Sequence, residues 1–155
     1  MRYIYLRQVA LLKLDIEKEE VLELIGFQSN WSEHKLVWSL NKSLGLRLKR
    51  LNDYVLENRE MSRGALFSTQ ELKYAYSVYH YESEEEQIAL VANIAEGKAL
   101  YSVGRAFDYL LRIDGNQQRV DEIDERLANH RAILATGRIR CDTTHDAAAP
   151  FNALD

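Results

Sequence analysis

Residues 101–144 read YSVGRAFDYLLRIDGNQQRVDEIDERLANHRAILATGRIRCDTT, and their pattern decides the expected fold class. Phe107, Tyr109, Leu111 and Ile113 alternate with Asp108, Leu110 and Arg112, the two-residue period of a strand. Asp114-Gly115-Asn116 turns the chain into a helix. Its apolar stripe, Val120, Ile123, Leu127 and Leu134, leaves Asp121, Glu122, Asp124, Glu125 and Arg126 to solvent. Gly137 then releases the chain into a second extended run, RIRCDTT. Strand, helix and strand in that order build half of a two-layer α/β sandwich.

The rest of the chain is read outward from this unit. Val9–Ile16 alternates as a half-buried strand, EKEE (17–20) is a turn, and VLELIGFQS supplies a further strand. Asn30 and Glu33 stand at the spacing of a capping box. The helix they would open carries Leu36, Val37, Leu40 and Leu44 on one stripe, turns Lys35 and Lys42 to water and ends at Gly45. LRLKR (46–50) alternates as a strand, and residues 58–68 break every period and read as a loop. YAYSVYHYE and QIALVANI form two strands around SEEE, whose acids are solvated in an exposed turn.

These elements predict an α+β fold: a two-layer sandwich with an antiparallel or mixed sheet and two main helices on one face, the split β-α-β arrangement of ferredoxin-like or ACT-like domains. Residues 1–141 form the single domain. Residues 142–155 lose periodicity, contain the one proline, Pro150, and are expected to be a flexible tail.

Composition narrows the function. With 155 residues, 46% of them hydrophobic and 28% charged, the chain is of single-domain size and ordinary globular composition. Its formal net charge of −4 gives no global attraction to phosphate backbones or anionic lipid, so neither a nucleic acid nor a membrane is the expected partner. Nucleic-acid binding would need a local basic patch. No apolar stretch approaches the roughly 20 residues that cross a bilayer. The lone Cys141 is read as a small, buried, inert thiol, and with the N-terminal pattern it points to a cytoplasmic protein.

No reaction is written in the motifs. His34, His80, His130 and His145 lack the short-range pairing that metal ligands show, and no G-x-S-x-G elbow or phosphate-cradling glycine loop is present. The chain is therefore expected to be non-enzymatic, with no metal and no cofactor. The run Arg47, Lys49, Arg50 reads as an edge-protecting face, and Tyr74, Tyr76, Tyr79 and Tyr81 as packing rings.

HKLVWSLNKSLGLRLKRLND, YSVYHYESEEEQIALVAN and FDYLLRI together resemble the IPExxxVDY family, a group of small uncharacterised bacterial proteins; the resemblance runs from about Leu11 to Arg140. The matching positions are Asn41, Leu44, Arg50, Asp53, Glu82, Asn93, Asp108 and Tyr109. Where the family carries I-P-E this chain has Tyr101, Ser102 and Val103, and Phe107 replaces the valine before Asp-Tyr. The resemblance implies no catalytic or binding role, so Asn41, Arg50, Asp53, Glu82, Asn93, Asp108 and Tyr109 enter as motif positions of unassigned role.

The function expected from these readings is a non-enzymatic interaction module that self-associates as a homodimer, or meets a protein partner, across the sheet face left open by the helices. An ACT-like small-molecule-binding regulatory domain is the alternative. Within the FDYLLRI strand, Tyr109 is expected in the core and Asp108 on the open, exposed side.

Overall fold

The computed structural model describes residues 21–61, 69–102 and 107–154. The expected Val9–Ile16 strand and the EKEE turn lie outside the described residues. Three runs dominated by apolar residues form the centre of a six-stranded sheet: β1 (Val21–Gln28), β6 (Gln87–Ala92) and β9 (Tyr109–Asp114). The strand order is β10-β1-β9-β6-β5-β2, where β2 is Lys49–Arg50, β5 is Val78–Glu82 and β10 is Ala135–Asp142. Every neighbouring pair is antiparallel. β9 and β10 therefore run parallel on either side of β1, and α2 (Gln117–Ala128) crosses between them. α1 (Glu33–Leu44) carries the chain from β1 to the far edge at β2.

Alternation along the strands makes two apolar faces. Ile25, Phe27, Tyr79, Ile88, Leu90, Tyr109 and Leu111 meet Leu36, Leu40 and Leu44 of α1 and Ile123 and Leu127 of α2 in one core. Leu24, Val78, Ala89, Val91, Leu110, Ile139 and Cys141 form a second core on the opposite side. Tyr76 and Leu100 cover that second side, together with Ala147, Ala148 and Phe151 of the C-terminal segment. Tyr54, Leu56 and Tyr74 of a separate hairpin, β3 (Tyr54–Met61) with β4 (Thr69–Tyr76), pack against its margin.

The two-layer ferredoxin-like or ACT-like sandwich is thus corrected. The protein is mainly β, with short helices on one side of a six-stranded antiparallel sheet and the chain's own hairpin and C-terminal segment on the other. The reason lies in the central strands. Ile88-Ala89-Leu90-Val91 and Tyr109-Leu110-Leu111 are buried at every position, as strands are only when both faces are covered.

Several local expectations change with it. Residues 142–154, read as a flexible tail, carry α3 (Ala149–Asn152), and Ala147, Ala148 and Phe151 have no exposed surface. LRLKR contributes only Lys49 and Arg50 to the sheet. YAYSVYHYE is broken at Ser77 into β4 and β5, and residues 58–61 of the expected loop belong to β3. α2 ends at Ala128, so Leu134 stands in the following loop at 64% exposure. Ser32 occupies the N-cap of α1, without the Asn30–Glu33 box. A further small hairpin, β7 (Ile94–Ala95) with β8 (Lys98–Ala99), turns through Glu96 and Gly97, both at positive φ, as a tight two-residue turn requires.

Phe107 lies on the face opposite Tyr109, and glycine makes its place. Gly26 and Gly137 are cross-strand partners on β1 and β10. A Cβ on Gly26 would lie 2.5 Å from the Phe107 ring, and one on Gly137 would lie 2.9 Å from it. Here glycine serves close approach. Gly26→Ala is expected to destabilise by about 1 to 3 kcal/mol, the overpacking range, because a Cβ there also meets Ile139 at 2.8 Å. Chemical denaturation checks this, and Phe107→Leu in the same chain should recover part of the loss.

Candidate interaction surface

The outward face of α1 departs from an ordinary polar helix surface. With Leu36, Val37, Leu40 and Leu44 turned to the core, the helical period places His34, Lys35, Trp38 and Lys42 on the opposite side. Trp38 is 64% exposed, and the ammonium of Lys42, one turn on, lies 5.0 Å from its ring centre. Trp31, in the segment entering the helix, has Lys35 at 4.2 Å and the Arg131 guanidinium at 5.3 Å from its ring. Both tryptophans of the chain therefore stand here, each beside a cation. Such contacts at exposed sites contribute roughly 0.5–1 kcal/mol each, enough to orient the rings.

His130 fixes the loop that brings Arg131 to Trp31. Its Nδ1 accepts the Ala132 N–H at 3.0 Å, so in the neutral ring Nε2 carries the proton and donates to Ser39 Oγ at 3.0 Å. The ring also meets Trp31 edge-on at 5.9 Å. The same loop ends at Leu134, whose N–H donates to Gln28 O at 2.8 Å.

Burial, and then the Arg131 charge, push the His130 pKa below its ordinary value. The unfolded state therefore binds the proton more readily. The stabilising contribution of neutral His130 is full above about pH 6.5 and declines as pH falls toward the lowered native value. The expected result is a loss of stability on mild acidification that His130→Gln lacks, read from denaturation midpoints across pH 4.5–7.5, a range set at roughly this width to span the histidine titration.

No carboxylate among the described residues lies within ion-pair distance of Lys35, Lys42 or Arg131. Neighbouring arginines differ. Arg119 pairs with Glu86 at 2.8 Å, Arg126 with Glu122 at 3.1 Å, and Arg138 with Asp121 and Asp124 at 2.7 and 2.9 Å. The acidic side of α2 is thereby occupied within the chain, while the cations of α1 face outward.

The motif positions fall in four places. Asn41 closes the α1–β2 connection, accepting the Leu48 N–H at 2.9 Å and donating to Leu48 O at 3.2 Å. Arg50 pairs with Asp53 and with Glu33, and Glu33 also accepts the Tyr79 hydroxyl at 2.8 Å. Buried Asn93 holds the segment before β9: it donates to Tyr101 O and Phe107 O and accepts the Tyr101 N–H. Asp108, expected on an exposed side, is half-buried and accepts the Ser29 N–H at 3.0 Å. Tyr109 is buried, as its strand face implied, and burial followed by the Glu33 charge pushes its phenol up to about 12. Glu82 is exposed at the end of β5, apart from the others. Asn41, Arg50, Asn93 and Asp108 lock connections, and the motif positions do not converge on one cavity.

Two hollows remain. A cavity of about 130 Å³ between β1, β9, β10 and α2 is lined by Ile25, Leu111, Val120, Arg138 and Arg140, and it is smaller than the roughly 300 Å³ at which small-molecule sites begin. An open groove between α1 and α2 is lined by Ser43, Glu122, Arg126 and His130. Cys141 is buried in β10, and burial pushes its thiol up, away from the reactive thiolate. Among the described residues no group of three His, Cys, Asp or Glu side chains is placed to hold a metal ion, and no helix is long and apolar enough to cross a membrane.

The sequence matches no protein-family model, and no curated protein or solved structure is significantly similar to it. Function is therefore read from geometry.

Proposed function

We propose that the chain is a non-enzymatic interaction module whose contact surface is the outward face of α1 with the loop before β10. One observation carries the reading. Among the described residues the two most exposed large apolar side chains, Trp38 and Leu134 at 64% each, belong to these two adjoining elements, which Trp31 and Arg131 join, and cations stand beside both indole rings. Tryptophan and arginine are the residues that most often anchor protein interfaces. An exposed indole with no packing duty is more economically explained by a partner than by stability.

The homodimer expected from sequence used an uncovered sheet face, and that face is occupied by Phe151, Tyr76 and their neighbours. A second copy meeting the α1 surface instead is an outcome the test separates. The ACT-like alternative rested on a fold analogy that the six-stranded sheet does not support.

The test is a photo-crosslinking side chain placed at position 38 in the full chain and, as a control, at position 84 in the acidic turn. A discrete adduct from position 38 and none from position 84 is expected, with light scattering reporting whether the adduct is a second copy. Absence of any adduct from position 38 above background overturns the reading.

A further inference from the structure

We propose that the α1 surface binds an acidic amphipathic segment of a partner protein, one that presents carboxylates beside apolar side chains. This rests on the interaction-module reading and names the partner's chemistry. Charge complementarity sets the sign. Lys35, Lys42 and Arg131 have only indole rings as partners, whereas Arg119, Arg126 and Arg138 on the adjoining elements are satisfied by the chain's own acids. On a protein of net charge −4, Lys35, Lys42 and Arg131 give this surface a local attraction for an anion, as exposed Arg47 and Lys49 do on the following segment, and here that attraction stands beside exposed apolar side chains and orients the encounter.

The apolar component decides among anionic partners. Single-stranded nucleic acid uses aromatic platforms and cations, but the exposed aliphatic Leu134 at the end of the Arg131 loop offers a base or a phosphate nothing. An anionic lipid surface would use both tryptophan and lysine. However, stable interfacial binding needs a broad apolar face, and the apolar face of α1 is spent on the core. A twofold dimer through this surface would set Lys35 and Lys42 against the same residues of the second copy, and like charges facing each other disfavour that pairing. A carboxylate-bearing segment with leucine-like side chains uses every feature: indole and Leu134 for its apolar groups, and Lys35, Lys42 and Arg131 for its acids.

Trp38 is exposed and Trp31 is half-buried, so intrinsic fluorescence reports binding directly. The probe is a synthetic helix-forming peptide of leucine and glutamate, compared with its leucine–lysine counterpart, an oligothymidylate, and vesicles of phosphatidylserine and phosphatidylcholine. The expected result is a saturable emission change with the glutamate peptide alone, weakened by salt. K35E/K42E should reduce affinity about tenfold, the sum of a few surface charge pairs, and Leu134→Ser about fivefold. All three positions are exposed, and K35Q/K42Q, if the double reversal unfolds, should give a smaller loss of the same sign. Preferential binding of oligothymidylate or vesicles, equal binding of both peptides, or no binding overturns the proposal. A position-38 adduct with a second copy, or with a protein lacking such a segment, also overturns it while leaving the interaction module standing; no adduct at all removes both.

Discussion

Phe151→Ala is expected to destabilise the protein by about 3 to 5 kcal/mol, the range for deleting a large aromatic from a core. Phe151 has no exposed surface and belongs to the second core with Leu24, Val91 and Leu110. Its backbone oxygen also accepts from Arg112, which rises from β9 on the same side. The segment that presents it is locally ordered. Asp142 Oδ1 accepts both the N–H and the hydroxyl of Thr144, His145 Nδ1 accepts the Ala147 N–H, and Pro150 sits in the first turn of α3, where its missing N–H costs nothing. Urea denaturation reads the effect, and deletion of residues 143–155 should in addition lower the m-value, because less surface is then hidden in the native state. A change within about 0.5 kcal/mol, as for a surface substitution, would return these residues to the status of a tail.

Polar sequence with short motifs hid that role. Thr143, Thr144, His145 and Asp146 read as a loop, and only Phe151, in a run otherwise made of alanine, proline and asparagine, signals an anchor. The clearer signal was elsewhere. Half-open antiparallel strands alternate, yet Ile88-Ala89-Leu90-Val91 does not, so the second face needed a cover from within or outside the chain. The expectation of an open face followed from counting helices rather than from this run. The covering elements, a hairpin and a segment with a four-residue helix, have no periodicity long enough to be assigned to a layer.

Where a period ran for two turns or more, the reading held locally. α1 with its Gly45 stop, the β5–β6 hairpin around Ser83, and the β9, α2 and β10 segments stand close to where alternation and helical spacing put them. Non-local facts were not legible. Gly26 and Gly137 become informative only once paired in register beneath Phe107. Glu33 looked like a capping carboxylate, but its partners, Tyr79 and Arg50, come from strands far along the chain. Trp38 is legible in the sequence: its position opposite the Leu36, Val37, Leu40 and Leu44 stripe puts a large indole on a polar helix face, and an exposed large apolar side chain is the informative departure.

Tyr109→Ala is the other substitution expected to cost about 3 to 5 kcal/mol. The ring is 8% exposed and stacks on fully buried Phe27, with centres 5.3 Å apart and planes 18° from parallel. Truncation would open a void against Phe27 in the helix-side core. Tyr109→Phe keeps that packing and isolates the hydroxyl. The native phenol titrates at about 12 because it is buried and faces the Glu33 charge, whereas an unfolded tyrosine titrates near 10. The folded state thus holds the proton more tightly. Its contribution is complete below about pH 10 and is lost as pH rises from about 10 to 12, amounting to about 3 kcal/mol at most. Tyr76 and Tyr79 are also shifted upward, chiefly by burial, so alkaline destabilisation is shared and the comparison must be made between chains. Wild type should lose stability more steeply than Tyr109→Phe over that interval, with the two within about 1 kcal/mol at neutral pH, as a volume-conserving exchange allows. Parallel curves for the two proteins would place the Tyr109 hydroxyl in water.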